Sequence, residues 1–106
     1  METHYDLGGK VAIVTGGGKG IGRVIALGLA QAGARVVVAS RTQAELEAVA
    51  EEIQQAGGEA LAVATDITVN EQIENLVETT MARFERIDIL VNNAARSFMR
   101  SLLELR

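Results

Sequence analysis

The chain has 106 residues, of which 48% are apolar, 23% charged and 3% aromatic, so we expect one domain over residues 1–106 with an aliphatic interior. A formal net charge of −4 argues against nucleic acid or an anionic membrane as a partner, and the lack of cysteine excludes disulfides and thiolate metal sites. The polar N-terminus and the lack of a membrane-length apolar run favour a cytoplasmic protein, and we predict no metal site.

Strand and helix patterns alternate along the whole chain. Four short apolar runs bounded by glycine or polar residues predict strands over 10–15, 35–40, 60–64 and 87–91. The first helix pattern begins at Ile21 and ends near a Gly33 cap. Thr42 and Glu45 form a capping-box pattern before the second helix, and Asn70 is suited to cap the third.

Apolar residues at helical spacing predict the buried face of each helix. The first face is Val24, Ile25, Gly28, Leu29 and Ala32; the second is Leu46, Val49, Ala50 and Ile53; the third is Ile73, Leu76, Val77, Met81 and Phe84. The alternation predicts right-handed crossovers and a Rossmann-like α/β fold. We expect a three-layer, doubly wound parallel sheet with strand order 3-2-1-4.

The end of this pattern suggests a fold that is truncated after the fourth strand. That strand would lie at an edge of the sheet, where something should cover its unpaired backbone groups. Residues 98–106 have the pattern of the beginning of another helix. We therefore predict that the chain holds part of a doubly wound α/β domain.

A glycine-rich turn lies between the first strand and the first helix. Residues 15–22 read Thr-Gly-Gly-Gly-Lys-Gly-Ile-Gly, with glycines in the spacing G-x-x-x-G-x-G. Such a turn directs backbone N–H groups and the positive end of a helix dipole at a bound pyrophosphate. The alternative is an ordinary glycine-rich turn, and the sequence after it does not fit a Walker-type phosphate loop.

The residues after the second strand favour NADP(H) over NAD(H). An NAD site normally has an acidic residue here to accept hydrogen bonds from the adenosine ribose. This chain has Arg41 instead, and a guanidinium suits a 2′-phosphate. Lys19 in the glycine turn adds a second cation, although Arg41 is alternatively a solvated residue before the helix.

Polar residues also follow the third and fourth strands. Asp66 is suited to accept a hydrogen bond from an adenine amino group with Ile67 packed on the ring, or else to bond its own turn. Asn92 and Asn93 are followed by small residues, which allows close approach of a ligand and bonds between strand ends. An ordinary Asn-Asn turn is the alternative.

From about residue 8 to 106, the chain resembles the short-chain dehydrogenase/reductase family in three motifs: Thr15-Gly16-xxx-Gly20-Ile21-Gly22, Asp66-Ile67 and Asp88-Ile89-Leu90-Val91-Asn92-Asn93-Ala94. The resemblance implies an extended Rossmann fold, usually in dimers or tetramers. It also implies cofactor-binding roles for Gly16, Gly17, Gly18, Lys19, Gly20, Ile21, Gly22, Arg41, Asp66, Ile67 and Asn93. Asn93 would lie near the nicotinamide, while Asn92 braces the sheet. Ala95 stands where the family commonly has glycine.

No catalytic residue can be carried over from the family. Its proton donor is a Tyr followed four residues later by a Lys, with a Ser and an Asn nearby. The single tyrosine is Tyr5, before the first strand, with Gly9 four residues later. His4 lies in a polar tail, where a lone histidine is usually solvated.

These features favour the cofactor-binding segment of an NADP(H)-dependent oxidoreductase that acts on a small carbonyl or alcohol substrate. The full-length enzyme would be a homo-oligomer, and the 106-residue chain alone would be inactive. A non-catalytic NADP(H)-binding sensor or interaction module is the main alternative. A Rossmann-like methyltransferase is a third hypothesis, but it usually needs an acidic residue where this chain has Arg41.

Overall fold

The computed structural model describes residues 6–93. Strands and helices alternate strictly along them, as β1 (Val11–Thr15), α1 (Gly20–Gln31), β2 (Arg35–Ser40), α2 (Gln43–Gln55), β3 (Ala60–Ala64), α3 (Asn70–Phe84) and β4 (Ile89–Asn92). The strands form one parallel sheet in the order β3-β2-β1-β4. This confirms the predicted Rossmann-like α/β fold and its strand order.

The sheet is covered on both faces because successive strand residues point to opposite sides. On one face, Val14, Val36 and Val38 form a core with residues of α1 and α2. On the other face, Ile13 and Val37 form a second core with residues of α3. The fold therefore has the three layers expected of a doubly wound sheet. Among residues 6–93, no helix combines the length and apolar character that a membrane span requires.

All four strands run in the same direction, so their carboxyl ends lie at one edge of the sheet. Thr15 at the end of β1 is in register with Ala39 of β2 and Asn92 of β4. Within the described range, β4 pairs with β1 on one side, as expected for an edge strand. Segment 98–106 lies outside the described residues.

The predicted N-terminal caps are wrong in detail. Thr42 is the N-cap of α2, but its side chain makes no cap hydrogen bond. Instead, the Thr42 backbone N–H donates to Ser40 Oγ, and Glu45 points toward Lys19. Asn70 is the first helical residue of α3, and Val69 is the N-cap. Ala32 is the C-cap of α1, and Gly33 follows it with a φ of +103°, so the helix ends near Gly33 as predicted.

Two predicted buried faces also need correction. On α1, Val24 is 64% exposed and Gly28 is exposed as well, because the helix turns Gly22 and Ala26 toward the core instead. On α3, the sequence predicts that Met81 is buried. Met81 is instead 42% exposed, and its neighbour Thr80 is buried. Thr80 tolerates burial because its hydroxyl donates to the Leu76 carbonyl at 2.7 Å. The predicted face of α2 is confirmed in full.

Candidate functional site

The residues singled out in the sequence meet at the carboxyl edge of the sheet. Gly16 directly follows β1, Arg41 follows β2 and Asn93 follows β4, while Asp66 comes shortly after β3. The strand order reverses direction between β1 and β4, and with right-handed crossovers this places α1 and α3 on opposite faces of the sheet. Open α/β sheets bind their ligands in the crevice at such a reversal.

Gly16 and Gly22 make the turn after β1 compact. Gly16 has a φ of +68°, and its backbone N–H donates to the Ala39 carbonyl at 2.7 Å, which ties the turn to β2. A Cβ on Gly22 would overlap the carbonyl oxygen of Gly16. The first turn of α1 therefore packs directly on the strand end, which brings the helix N-terminus to the crevice.

The N-terminus of α1 has neither a side-chain cap nor an acidic residue in its first turn. Lys19 is its N-cap residue, in extended conformation. The first backbone N–H groups of a helix have no partner inside it and attract anions. A Cβ on Gly20 would meet no atom within 4 Å, so the space over the turn is open. Ile21 beside it is 70% exposed.

The other two glycines of the turn lie against β2 and α2. Gly17 is buried, and a Cβ there would lie 2.9 Å from a methyl group of Val38. Gly18 faces Glu45 of α2, at 3.0 Å between a Cβ on the glycine and the Glu45 Cβ. The turn thus has one side packed against the core and one side facing a cleft.

That cleft has a volume of about 210 Å³ and separates the glycine turn from the beginning of α2. Its lining residues are Gly16, Gly18, Lys19, Ser40, Arg41, Thr42 and Glu45. The two predicted cations, Lys19 and Arg41, thus line one cleft. Glu45 Oε2 lies 4.0 Å from Lys19 Nζ, and the Lys19 side chain is 83% exposed.

Asp66 forms a tight turn with the residues after it. Its Oδ1 accepts hydrogen bonds from the Thr68 hydroxyl at 2.6 Å and the Thr68 backbone N–H at 2.9 Å. These bonds lower the pKa of Asp66, and the charge of Arg41 adds to the effect. The carboxylate is therefore ionised at neutral pH, and both bonds use the same oxygen.

Ile67 is half-buried and packs against the core beneath α3. Its neighbour Asp66 donates its backbone N–H to Gln72 Oε1 at 2.7 Å, which fixes the loop against the beginning of α3. The sequence left open whether Asp66 bonds its own turn or a ligand. The turn is formed, and Oδ2 lies outside it.

A buried threonine joins the ends of β1 and β4. Thr15 is fully buried, and its Oγ1 accepts a hydrogen bond from the Asn93 backbone N–H at 3.1 Å. The same hydroxyl lies 3.3 Å from the Val91 carbonyl oxygen and 3.4 Å from Asn92 Oδ1. The side-chain amide of Asn93 lies over the turn, where a Cβ on Gly16 would be 3.2 Å from its nitrogen.

Sequence reasoning missed several residues of this site. Ser40, Thr42 and Glu45 line the cleft, and Thr15 holds the strand ends together. The position of Ser40 and Thr42 on either side of Arg41 is a signal that could have found them. Glu45 was interpreted only as a capping residue. Among residues 6–93, no cluster of His, Cys, Asp and Glu is suited to hold a metal ion.

Two curated relatives match most of the chain. It is 46% identical over 99 residues to an uncharacterized oxidoreductase of Mycobacterium tuberculosis, covering 93% of this chain and 38% of that protein. It is 44% identical over 87 residues to the short-chain dehydrogenase/reductase homolog YusS of Bacillus subtilis, covering 81% of this chain and 80% of that protein. The chain thus spans well under half of the Mycobacterium relative but most of YusS.

Two solved structures match both the sequence and the fold of the chain. A hydroxysteroid dehydrogenase from Escherichia coli is 44% identical with a TM-score of 0.83, over 85% of this chain and 38% of that one. A metagenomic short-chain oxidoreductase in complex with NADP is 45% identical with a TM-score of 0.80, over 84% and 40% of the two chains. The short chain dehydrogenase family model matches residues 10–106. The chain therefore belongs to the short-chain dehydrogenase/reductase family.

Proposed function

We propose that this chain is the NADP(H)-binding part of a short-chain oxidoreductase. The observation that carries the proposal is the cleft at the carboxyl edge of the sheet, which is lined by both Lys19 and Arg41. It adjoins the uncapped N-terminus of α1. A dinucleotide with an additional phosphate on its adenosine ribose matches these two anion-attracting features together.

The glycine turn would hold the pyrophosphate. Gly16, Gly17, Gly18 and Lys19 form its backbone, and Gly20, Ile21 and Gly22 begin α1. The open space over Gly20 leaves room for a ligand close to the main chain. Because the first turn of α1 has no acidic residue, its N–H groups and dipole are available to an anion.

Arg41 and Lys19 would select the 2′-phosphate of NADP(H) over the free hydroxyl of NAD(H). An arginine guanidinium donates several hydrogen bonds in a plane, in a geometry that fits phosphate. The strand before it ends in Ala39 and Ser40, without the carboxylate that accepts from a ribose in NAD sites. The NADP complex of the metagenomic relative supports this preference.

The remaining predicted residues are suited to the two ends of the cofactor. Asp66 Oδ2 would accept a hydrogen bond from the adenine amino group, with the exposed part of Ile67 beside the ring. Asn93 would lie along the cofactor toward the nicotinamide, since its amide lies over Gly16. Thr15 would act indirectly by holding Asn93 in place.

In the complete protein, the nicotinamide would exchange a hydride with a small carbonyl or alcohol substrate. The 106 residues would bind and orient the cofactor, and the proton would come from groups outside them. We also propose that the full-length protein is a cytoplasmic homo-oligomer. The family resemblance supports the oligomer, and the absence of cysteine is compatible with a reducing compartment.

One observation favours the alternative of a non-catalytic NADP(H)-binding module. The matched 87 residues make up 80% of YusS, so the family includes a protein not much longer than the matched region. Such a module would use the same cleft and the same cations. Both proposals have NADP(H) as the cofactor, but only the oxidoreductase would oxidise or reduce it in the complete protein. The family assignment leaves no support for the methyltransferase hypothesis.

The role of Arg41 can be tested by measuring the dissociation constants of NADPH and NADH by calorimetry. We expect Arg41→Ala to weaken NADPH binding by roughly tenfold, since it removes charge-assisted hydrogen bonds to the phosphate. NADH lacks that phosphate, so we expect its affinity to change little.

Lys10→Ala is the matched control, because it removes one positive charge from an exposed residue just before β1, at the opposite edge of the sheet. We expect it to leave both affinities nearly unchanged. Equal NADPH affinity in Arg41→Ala and Lys10→Ala would remove Arg41 from the site. A wild-type chain that binds NADH more tightly than NADPH would contradict the proposed cofactor.

A further inference from the structure

A carboxylate lies inside the cleft that we assign to the 2′-phosphate. Glu45 lines this cleft together with Lys19 and Arg41. Its Oε2 is 4.0 Å from Lys19 Nζ, and a Cβ on Gly18 would lie 3.5 Å from its Oε1. The side chain therefore projects from the first turn of α2 across to the glycine turn.

The backbone of α2 fixes this position. Leu46, the next residue, is fully buried in the core beneath α1 and α2, so the beginning of the helix is anchored. Thr42 makes no side-chain cap bond, and Glu45 is the acidic residue of the first turn. A negative charge there interacts favourably with the helix dipole, which explains why the fold accommodates it.

The same charge acts against a phosphate. The Glu45 side chain is 37% exposed, whereas that of Lys19 is 83% exposed, so the carboxylate is the less solvated partner of the pair. It offsets part of the positive charge of Lys19 and repels a phosphate group that carries about −1.5 to −2 charges. A ribose hydroxyl is neutral and experiences no such repulsion.

We propose that Glu45 is a specificity-determining residue that lowers the preference of this cleft for NADPH over NADH. This inference rests on the proposed function of the cleft. Glu45 Oε2 lies 4.0 Å from Lys19 Nζ, so the carboxylate weakens the attraction that Lys19 exerts on the 2′-phosphate beside Arg41. The chain consequently discriminates between the two cofactors less than its two cations alone would allow.

The test compares Glu45→Gln with Glu47→Gln in the complete 106-residue chain. Both variants remove one negative charge from α2. Glu47 is exposed, accepts a hydrogen bond from Gln43 Nε2 at 2.9 Å and lies outside the cleft lining. Calorimetry gives the dissociation constants of NADPH and NADH for the wild type and both variants, at low and at high salt.

We expect Glu45→Gln to raise the ratio of NADPH affinity to NADH affinity by roughly three- to tenfold at low salt. The gain should shrink at high salt, because exposed charges are then screened. Glu47→Gln should leave the ratio at the wild-type value. Thermal unfolding of both variants checks that each is folded at the temperature of the binding measurement.

Other outcomes separate this inference from the proposed function. NADPH binding by the wild type with an unchanged ratio in Glu45→Gln would overturn the role of Glu45 alone. An equal change for both cofactors would also overturn it, since that is what a purely structural effect on α2 produces. Absence of binding of either cofactor to the wild type and to Glu45→Gln would overturn both proposals together.

Discussion

At the scale of single residues, the glycine turn depends on positions where no side chain fits. Gly22 is in the first turn of α1, and a Cβ there would overlap the Gly16 carbonyl and lie 2.9 Å from the Asn93 side-chain nitrogen. Gly16 directly follows β1 and Asn93 directly follows β4, so the backbone of the turn would have to move to accommodate a Cβ on Gly22. A glycine at position 22 thus allows the first turn of α1 to pack directly against the ends of β1 and β4.

We expect Gly22→Ala to destabilise the chain by on the order of 1–3 kcal/mol, because the added methyl group forces a backbone shift. NADPH binding should weaken as well, since the shift displaces the first N–H groups of α1. Urea unfolding followed by circular dichroism measures the stability, and calorimetry measures the binding.

Gly28→Ala provides the control in the same helix. A Cβ on Gly28 meets no atom within 4 Å, and Gly28 lies in the interior of α1. Alanine there should stabilise the helix by about 0.5–1 kcal/mol and leave cofactor binding unchanged. Equal stabilities of the two variants would show that the crowding at Gly22 has no energetic effect.

At the scale of elements, the edge strand β4 is attached to β1 at both of its ends. Thr15 makes the attachment at the carboxyl end. At the other end, Asp88 Oδ2 accepts a hydrogen bond from the Val11 backbone N–H at 2.8 Å, and the Asp88 N–H donates to the Val11 carbonyl. Arg86 forms an ion pair with the same carboxylate at 2.8 Å.

This arrangement makes the attachment of β4 sensitive to acid. The hydrogen bond from Arg86 lowers the pKa of Asp88, followed by the bond from the Val11 N–H, and Lys10 adds a smaller effect. The folded-state pKa thus lies below the unfolded value, so Asp88 contributes stability above the unfolded pKa of about 3.9. That contribution is lost as the pH falls below about 4 and passes the folded-state pKa.

We expect Asp88→Asn to be less stable than the wild type at pH 7, because the amide carries no charge for Arg86. The difference should narrow steadily below about pH 4, where the wild-type carboxylate takes up a proton. Urea unfolding between pH 7 and pH 3 measures it. Glu78→Gln, at an exposed position of α3, should show a small difference at every pH. If the loss of stability in Asp88→Asn were the same at every pH, the ionised carboxylate could not be its cause.

At the scale of the whole molecule, residues 6–93 form the sheet edge that we propose to bind the cofactor, and they contain no tyrosine that could take the role of the proton donor implied by the family resemblance. The chain spans 38% of the length of its Mycobacterium relative. Tyr5 is the single tyrosine of the chain, and it lies outside the described residues, as do His4, Ala94 and Ala95. The assignment of residues 1–106 to one domain stays a prediction.

We expect the 106-residue chain to bind NADPH without oxidising it in the presence of carbonyl compounds. The reason is that the implied Tyr and Lys pair does not occur in its sequence. The absorbance of NADPH at the nicotinamide band measures turnover, with a full-length relative as the positive control. Oxidation that co-purifies with the chain, and whose KM for NADPH rises in Arg41→Ala, would show that the chemistry lies within these residues.

The sequence predicts the alternation of elements, the strand order and most of the buried faces. The alternation and the buried faces follow from hydrophobic periodicity and glycine positions, which are local properties of the chain. The strand order follows from the Rossmann-like arrangement that such an alternation favours. Three further features emerge only in the folded chain: Val24 faces outward, Thr15 and Asp88 attach β4 to β1, and Glu45 enters the cleft. These depend on which residues meet across separate elements, and the residues that meet are up to 78 positions apart in the chain. No local pattern encodes such contacts, because packing and strand register bring them together.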